Sequence, residues 1–166
     1  MSDQRGRAWI FGDDISTDLI FPGRLVHLLS NMPELVKHTL CDAREDYAGN
    51  VKQGDFVVAG NNFGMGSSRE QAAVIIKLSG ARAVLAKSFA RIFFRNSINN
   101  GLPCIEVDTD GINEGDELSV DFEKGILKDH TNGIERHFQP LPPIMTKILD
   151  DGGLIAHLQK HGDFAM

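Results

Sequence analysis

Residues 55–107 alternate between short apolar runs and amphipathic stretches, and this alternation constrains the possible folds more than any other feature of the sequence. The runs 55–59, 83–86 and 102–107 have the composition of buried strands, whereas residues 68–78 and 88–99 carry apolar side chains at helical spacing. Ser88 is placed to cap the second helix, and Gly80 and Gly101 follow the two helical stretches. Strand–helix–strand–helix–strand order with short links predicts right-handed crossovers onto a parallel sheet.

The segments on either side of this unit complete the predicted domain. A first strand is expected within RAWIFGDDI (7–15), and Asn31 with Pro33 predicts the start of a short helix. Residues 117–122, 126–129 and 135–138 have the pattern of antiparallel β structure, and residues 141–149 and 154–161 that of closing helices. The expected fold class is α/β: a βαβαβ unit with a mostly parallel sheet, a β-rich C-terminal extension and closing helices, forming one compact domain over residues 1–166.

Charge and hydropathy exclude several classes of function. The chain has 166 residues and a formal net charge of −6, and it contains no run rich in Lys and Arg. Nucleic acid and anionic membrane surfaces are therefore not expected partners. The N-terminal MSDQRGRAWIF has no apolar core of a secretory signal, and no apolar stretch is long enough to span a bilayer. We expect a cytoplasmic protein.

The metal-ligating residues are few and scattered. Cys41 and Cys104 are far apart in the sequence and outside any CxxC pattern, so this chain cannot supply the ligands of a Cys-rich zinc site or of an iron–sulfur cluster. The six histidines show no HExxH-type spacing. No metal site is predicted on this chain, and both cysteines are expected to be reduced.

The glycine-rich turn GNNFGMGSSRE (60–70) is the strongest candidate for a functional site. Glycines allow a ligand to approach the backbone, and the following helix directs unpaired N–H groups and its positive dipole end toward the turn. A carboxylate or phosphate would suit this position, and Arg69 could bind a carboxylate through two hydrogen bonds. Ser67 to Glu70 also matches a capping box, so either Ser67 or Ser68 could instead simply cap the helix.

Two further groups of charged residues have both a functional and a structural interpretation. Asp18 and Arg24 flank a Pro-Gly turn and could form a surface ion pair. Arg91 and Arg95 share a helix face at a spacing of four, where they are either solvated or directed at a partner. No GxSxG elbow is present and Ser67 has no evident His/Asp relay, which disfavours a serine hydrolase.

Three stretches together resemble one enzyme family. They are GDDISTDLIFPGR (12–24), GDFVVAGNNFGMGSSREQAA (54–73) and AKSFARIFFRNSINNGLPCIEV (86–107). In order and spacing they resemble the small subunits of 3-isopropylmalate dehydratases, also called isopropylmalate isomerases, and of homoaconitase-type relatives. These subunits are similar to the swivelling C-terminal domain of aconitase. The resemblance runs over nearly the whole chain and implies a swivel-type domain.

The resemblance implies an activity that this chain performs only with a partner. The reaction is the stereospecific dehydration and rehydration of a hydroxy-polycarboxylic acid, such as the conversion of 2-isopropylmalate to 3-isopropylmalate in leucine biosynthesis. A separate large subunit is expected to hold a [4Fe–4S] cluster through three cysteines, with no cluster bound by this chain. The cysteine count of the sequence agrees with that division.

The resemblance also assigns roles to individual residues. Ser67 is implied as the general base that removes a proton from the carbon next to a carboxylate. Arg69 is implied to bind a substrate carboxylate, with Ser68 donating beside it, Arg24 to match a second substrate-binding arginine, and Asp18 to orient an arginine. A serine is a poor base unless its alkoxide is stabilised, and amide donors at a helix N-terminus offer that stabilisation.

Two departures from the family pattern bear on the substrate. Met65 stands where the family turn usually has a cysteine that is not a cluster ligand. The segment implied to select the substrate's substituent lacks the usual Tyr-Leu start and consists of Leu25, Val26, His27, Leu28 and Leu29. An apolar segment favours an alkyl group such as isopropyl, whereas His27 leaves a more polar substituent open. Homoaconitate-, citramalate- and dimethylmalate-type acids therefore remain alternatives.

Two hypotheses from other classes remain open. A stand-alone anion-binding module built on the same βαβ unit would bind phosphate without a partner and without catalysis. An interaction protein would use the arginine face of the second helix, and changing Ser67 or Arg69 would leave its activity intact.

Overall fold

The computed structural model of the chain describes residues 4–67 and 69–162. The strands are β1 (Arg5–Ile10), β2 (Phe56–Val58), β3 (Ala83–Ala86), β4 (Cys104–Glu106), β5 (Glu117–Asp121), β6 (Ile126–Asp129) and β7 (Ile134–His137). The helices are α1 (Thr17–Ile20), α2 (Met32–Val36), α3 (Tyr47–Asn50), α4 (Glu70–Leu78), α5 (Arg91–Asn99), α6 (Pro143–Asp150) and α7 (Leu154–His161), with a 3₁₀ helix at Gly23–Ser30. None of the described helices is long and apolar enough to cross a membrane.

Within the described ranges, the strands form one seven-stranded sheet in the order β4-β3-β2-β1-β5-β6-β7. The pairings from β1 to β4 are parallel, and those from β1 through β5 and β6 to β7 are antiparallel. Strand β1 joins the two halves, because its first half pairs with β5 and its second half pairs with β2. The α/β fold class predicted from the sequence, with its βαβαβ unit and β-rich extension, is confirmed.

Both faces of the parallel half are covered by apolar side chains. Val57 in β2 packs in a cluster with Ile75 and Ile76 of α4, whereas Phe56 belongs to a cluster on the opposite face with Leu118 of β5. The run Phe56–Val58 is fully buried for this reason, as expected of a parallel strand covered on both sides. Burial on both faces places β2 rigidly, and the glycine-rich turn follows directly from its end.

Both helices of the βαβαβ unit begin later than the sequence predicts. Helix α4 begins at Glu70 rather than at residue 68, and α5 begins at Arg91 rather than at Ser88. The expected capping by Ser88 is wrong, because Ala90 is the N-cap of α5 and the Ser88 hydroxyl accepts a hydrogen bond from the Asn62 amide at 2.7 Å. Residues 88–90 thus form hydrogen bonds with the neighbouring glycine-rich turn and are not part of the helix.

Candidate active site

The glycine-rich turn lies at the carboxyl ends of the parallel strands. It connects β2 to α4, and it lies between residues 13–17, which follow β1, and residues 88–90, which follow β3. In open α/β sheets this edge is where ligands commonly bind, since the connecting loops of neighbouring strands meet there. The three loops that bring candidate site residues together therefore come from three adjacent strands.

Residues 15–17 hold the middle of the turn through three successive hydrogen bonds. The Gly64 amide donates to the Ile15 carbonyl at 2.7 Å, and the Thr17 amide donates to the Met65 carbonyl at 2.9 Å. The Thr17 hydroxyl then donates to the carbonyl oxygen of Ser67 at 2.7 Å. The backbone on both sides of the candidate base is fixed by these contacts.

The other side of the turn is anchored on residues 88–90 and on α5. The Ala90 amide donates to the Phe63 carbonyl at 2.9 Å, which adds a backbone contact to the bond between Asn62 and Ser88. Phe63 is fully buried, and its ring lies edge-on to Phe93 with the centroids 5.3 Å apart. Edge-to-face pairs of this kind add stability beyond the area that they bury.

Arg69 is held in place by contacts on three sides. Its Nη2 lies 2.8 Å from Asp18 Oδ1, and its guanidinium carbon lies 5.8 Å from the centroid of the Phe21 ring. Gly23 lies so close that a Cβ added there would come within 3.3 Å of Nη2. The Arg69 side chain is only 27% exposed, and its buried Nε has no hydrogen-bond partner among the described residues. The exposed part of the guanidinium, not the buried Nε, is what a ligand in the neighbouring cavity can reach.

Ser67 is exposed, and together with Arg69 it lines a cavity of about 210 Å³. The opposite wall is the first part of α5, including Arg91, Ile92 and Asn96. Within residues 4–67 and 69–162 the Ser67 hydroxyl makes no hydrogen bond, so it is available to a ligand in the cavity. The Ser67 hydroxyl and the Arg69 guanidinium thus belong to the lining of the same small cavity.

The turn does not form the capping box that its sequence suggests. Arg69, not Ser67, is the N-cap residue of α4, and among residues 4–67 and 69–162 no side-chain hydrogen bond caps this helix. The Glu70 carboxylate instead accepts a hydrogen bond from the Asn100 side-chain amide at 3.2 Å. The interpretation of Ser67 as a helix cap is therefore wrong, whereas Ser68 lies outside the described residues.

Arg24 is not paired with Asp18. Its guanidinium makes two hydrogen bonds to the Asp42 carboxylate, at 2.6 and 2.7 Å, and the Arg24 side chain is 62% exposed. These hydrogen bonds raise the pKa of Arg24 and lower the pKa of Asp42. Arg24 follows Gly23, which lies close to the Arg69 guanidinium, while the charge of Arg24 is engaged at Asp42.

The segment that the resemblance implies for substrate selection is part of the 3₁₀ helix. Leu25 and Leu28 pack against the core, whereas Val26, His27 and Leu29 are exposed. His27 Nδ1 lies 3.1 Å from the Arg24 carbonyl oxygen, within hydrogen-bond distance. Only three of the five positions are therefore available to a ligand or to a partner.

Sequence reasoning missed two contributions to the cavity. It gave Thr17 no role, although the side chain is buried and holds Ser67. On the second helix it considered only Arg91 and Arg95, whereas Ile92 lines the cavity beside Arg91 and is 53% exposed. The signal that could have revealed Thr17 is its position directly before the acid that pairs with Arg69.

The cysteines of this chain do not fit an iron–sulfur cluster. Cys104 is fully buried in β4, and this burial raises the pKa of its thiol to about 12. Cys41 lies apart from it beside Arg24 and Asp42, and burial also raises the pKa of its thiol. A cluster needs three or four thiolate ligands, and these two thiols are both shifted toward their protonated form.

A second group of titratable side chains joins α7 to the end of α6. His157 Nδ1 lies 2.8 Å from Asp151 Oδ2, His161 Nε2 lies 3.0 Å from the same oxygen, and Lys160 Nζ lies 3.1 Å from Oδ1. Asp151 is only 9% exposed, and His157 is buried. The hydrogen bond from His157, more than those from Lys160 and His161, lowers the pKa of Asp151 to about 2.

Comparisons with known proteins give one consistent result. Residues 15–110 match the family described as the aconitase C-terminal domain. The chain is 59% identical to 3-isopropylmalate dehydratase small subunit 2 of Archaeoglobus fulgidus over 95% of this chain and 96% of the relative. It is 48% identical to the methanogen homoaconitase small subunit of Methanothermobacter thermautotrophicus over 94% of this chain and 91% of that protein.

A solved structure is similar along the same length. The crystal structure of 3-isopropylmalate dehydratase from Methanocaldococcus jannaschii superimposes with a TM-score of 0.91 at 42% sequence identity. The match covers 96% of this chain and 95% of that one. The similarity thus includes the cavity, the antiparallel extension and the closing helices.

Proposed function

We propose that this chain acts in a two-subunit hydro-lyase. The chain belongs to the aconitase C-terminal domain family, and within that family it belongs to the small subunits of 3-isopropylmalate dehydratase. The proposed reaction is the isomerisation of 2-isopropylmalate to 3-isopropylmalate by dehydration and rehydration, a step of leucine biosynthesis. The observation that carries the proposal is the placement of the unbonded Ser67 hydroxyl beside the clamped guanidinium of Arg69 in one open cavity.

Ser67 is the proposed general base. Dehydration of a hydroxy acid removes a proton from a carbon next to a carboxylate and the hydroxyl group from the adjacent carbon, and that hydroxyl group would leave as water after it is protonated. The first proton would pass to Ser67 in its alkoxide form, which gives back the neutral hydroxyl. The positive charge of Arg69 and the N-terminus of α4 both favour a negative charge at this position. Thr17 holds the Ser67 backbone through its carbonyl, so the Ser67 hydroxyl stays directed into the cavity and is not itself used by this contact.

Arg69 is the proposed ligand of a substrate carboxylate. A planar guanidinium binds a carboxylate through two parallel hydrogen bonds, and the Asp18 and Phe21 contacts fix its plane before substrate arrives. Preordering lowers the entropy that the side chain loses on binding. Asp18 is thus the acid proposed to orient an arginine, and that arginine is Arg69.

Arg24 is proposed to bind the second carboxylate by exchanging partners. Its ion pair with Asp42 is largely exposed, and exposed pairs contribute little to stability because solvent screens the two charges. A substrate carboxylate beside Gly23 could therefore replace Asp42 at small cost. Ser68 is proposed to donate beside Arg69, on the basis of the family resemblance alone.

The iron–sulfur cluster of the enzyme is proposed to reside on the large subunit. The cysteines of this chain do not fit a cluster, so the chemistry that the cluster supplies would come from the partner. Exposed apolar side chains on the 3₁₀ helix and on α5 flank this half of the site, namely Val26, Leu29 and Ile92. We propose that the large subunit docks on this face and closes the cavity.

The choice of isopropylmalate rests on the character of the same face. Val26 and Leu29 suit an alkyl substituent, whereas the cationic side chain next to them, Arg24, is already assigned to the second carboxylate. A third carboxylate, as in the homoaconitase substrate, would lack a dedicated cation there. Homoaconitate-, citramalate- and dimethylmalate-type acids are the alternatives that an assay must exclude.

The test is an anaerobic assay of the chain assembled with its large subunit, with each of these acids as substrate. Ser67→Ala should abolish turnover while leaving substrate binding, measured directly by titration, nearly unchanged, and the exposed Ser30→Ala serves as the matched control. Turnover by Ser67→Ala close to that of wild type would rule out the base assignment. Binding of inorganic phosphate by the isolated chain, with no turnover in the assembly, would support the stand-alone anion-binding module instead.

A further inference from the structure

Thr17 connects the first helix of the chain to the turn that carries Ser67. Its side chain is only 2% exposed, so its hydroxyl needs a partner inside the protein. That partner is the carbonyl oxygen of Ser67, 2.7 Å away, and the Thr17 amide donates at the same time to the Met65 carbonyl at 2.9 Å. One residue therefore holds the backbone on both sides of Gly66.

The hydrogen bond from the Thr17 hydroxyl to the Ser67 carbonyl extends a short parallel ladder of backbone hydrogen bonds. It lies at the point where backbone amides no longer continue that ladder. Ser16 and Met65 form a parallel bridge, flanked by the bond from the Gly64 amide to the Ile15 carbonyl. After Thr17 the chain turns into α1, so its next amides point along that helix and no longer toward the turn. The Thr17 hydroxyl supplies the next rung, and its acceptor is the carbonyl of Ser67.

We propose that Thr17 is a positioning residue that fixes the orientation of Ser67 for proton transfer, an inference that rests on the proposed function. Gly66 has a φ of +100°, a conformation in which the backbone has few steric restraints of its own. Without the Thr17 hydroxyl, the Ser67 carbonyl loses the donor that it has among the described residues, and the Ser67 hydroxyl loses its fixed direction. Thr17 also lines the cavity, but its hydroxyl is engaged by the Ser67 carbonyl, so its effect is exerted through Ser67.

The neighbouring residue supports this reading of the helix. Asp18 holds the Arg69 guanidinium at 2.8 Å, so two consecutive residues of α1 fix the proposed base and the proposed carboxylate clamp separately. The two contacts predict different kinetic effects. Loss of the Thr17 hydroxyl should lower kcat, because Ser67 acts in the transition state, whereas loss of Asp18 should mainly raise KM.

The experiment compares Thr17→Val, Thr17→Ser and a matched control in the assembled enzyme. Thr109→Val is the control, because Thr109 is also a buried threonine whose hydroxyl donates to a distant carbonyl, that of Ala59 at 2.8 Å. Thr17→Val should lower kcat by about ten- to a hundredfold with little change in KM, and Thr17→Ser should restore most of it. Thr109→Val should leave kcat unchanged.

A second measurement on the isolated full-length chain keeps the inference independent of catalysis. Thr17→Val should accelerate amide hydrogen exchange in the turn around Ser67, whereas Thr109→Val should not. Unchanged kcat and exchange in Thr17→Val, equal losses of kcat in both valine variants, or failure of Thr17→Ser to recover would each overturn the positioning role. If the wild-type assembly turned over none of the acids, the proposed function would fail, and the exchange comparison would still decide whether Thr17 holds the turn.

Discussion

Gly64 provides the most direct test of how the turn is held in place, because the structure allows its contribution to be calculated in two parts. Gly64 has a φ of +84°, which costs a non-glycine residue about 1–2 kcal/mol. A Cβ added to Gly64 would also overlap the Phe93 side chain of α5, and overpacking of this kind costs about 1–3 kcal/mol. We therefore expect Gly64→Ala to lower the free energy of unfolding by about 2–5 kcal/mol.

A matched substitution separates the two parts. Gly115 has nearly the same conformation, with a φ of +81°, but no heavy atom lies within 4 Å of an added Cβ. Gly115→Ala should therefore lose only the conformational part, about 1–2 kcal/mol. Unfolding by urea, followed by circular dichroism and extrapolated to water, gives both values on the same scale.

The difference between the two alanine variants measures how tightly the turn is packed on α5. Equal losses would refute the argument, because they would mean that the turn moves away from Phe93 without cost. A Gly64→Ala loss that is larger by about 1–3 kcal/mol would show that the turn cannot shift, and such a variant should also lose turnover in the assembled enzyme. Gly115→Ala should keep full turnover, since Gly115 lies outside the cavity.

Three further predictions concern the clamp, the docking face and the C-terminal helices. Arg69→Lys should raise KM by about tenfold or more in the assembled enzyme, because a point charge replaces a fork, and an unchanged KM would contradict the clamp role. Ile92→Asp should weaken binding to the large subunit by about tenfold or more in a titration, whereas Ile155→Asp, at a still more exposed isoleucine on α7, should not. The pKa of Asp151 is lowered from 3.8 to about 2, chiefly by the His157 hydrogen bond, so its contribution to stability is complete above pH 3.8 and is lost as the pH falls through 2. The difference in unfolding free energy between wild type and Asp151→Asn should therefore shrink over that range of pH, and a constant difference would contradict the ionic role of Asp151.

The parts of the fold that were predictable from the sequence are those governed by local pattern. The Ala83–Ala86 and Ile126–Asp129 strands and the Leu154–His161 helix lie where the sequence places them, because apolar spacing and turn residues mark their ends. The double pairing of β1 was not predictable in this way. It depends on which strand edges meet after the βαβαβ unit has formed, and no local signal in Arg5–Ile10 specifies two partners.

The same distinction applies to the candidate site. Ser67 and Arg69 are two residues apart, so the turn itself brings them to one place, and the glycine pattern identifies that turn. The partners of the arginines are set by tertiary contacts: Asp18 is close to Arg24 in sequence, yet it pairs with Arg69. Asp42, the partner of Arg24, carried no sequence signal of its own.

The late start of α5 shows how a tertiary contact overrides a local capping signal. Ser88 is well suited to cap a helix, but its hydroxyl and backbone carbonyl are both used by the turn, as acceptors from Asn62 and Phe63. The helix then begins at Arg91 without a side-chain cap. A helix that gives up its cap to hold a neighbouring loop indicates that the position of the loop matters more than the stability of that helix end.

The anchoring of the site also divides its residues into a fixed and an adjustable group. Ser67 and Arg69 are both braced on α1, through Thr17 and Asp18, so they are already oriented before a partner or substrate arrives. Within the described residues, Arg24 is anchored by the exposed Asp42 carboxylate and by a contact of 3.9 Å to Cys41 Sγ, and it is therefore the residue whose position can change when the large subunit docks. Proton removal requires fixed geometry, whereas capture of a second carboxylate tolerates a mobile clamp, and the distribution of rigid and exposed anchors in this chain follows that requirement.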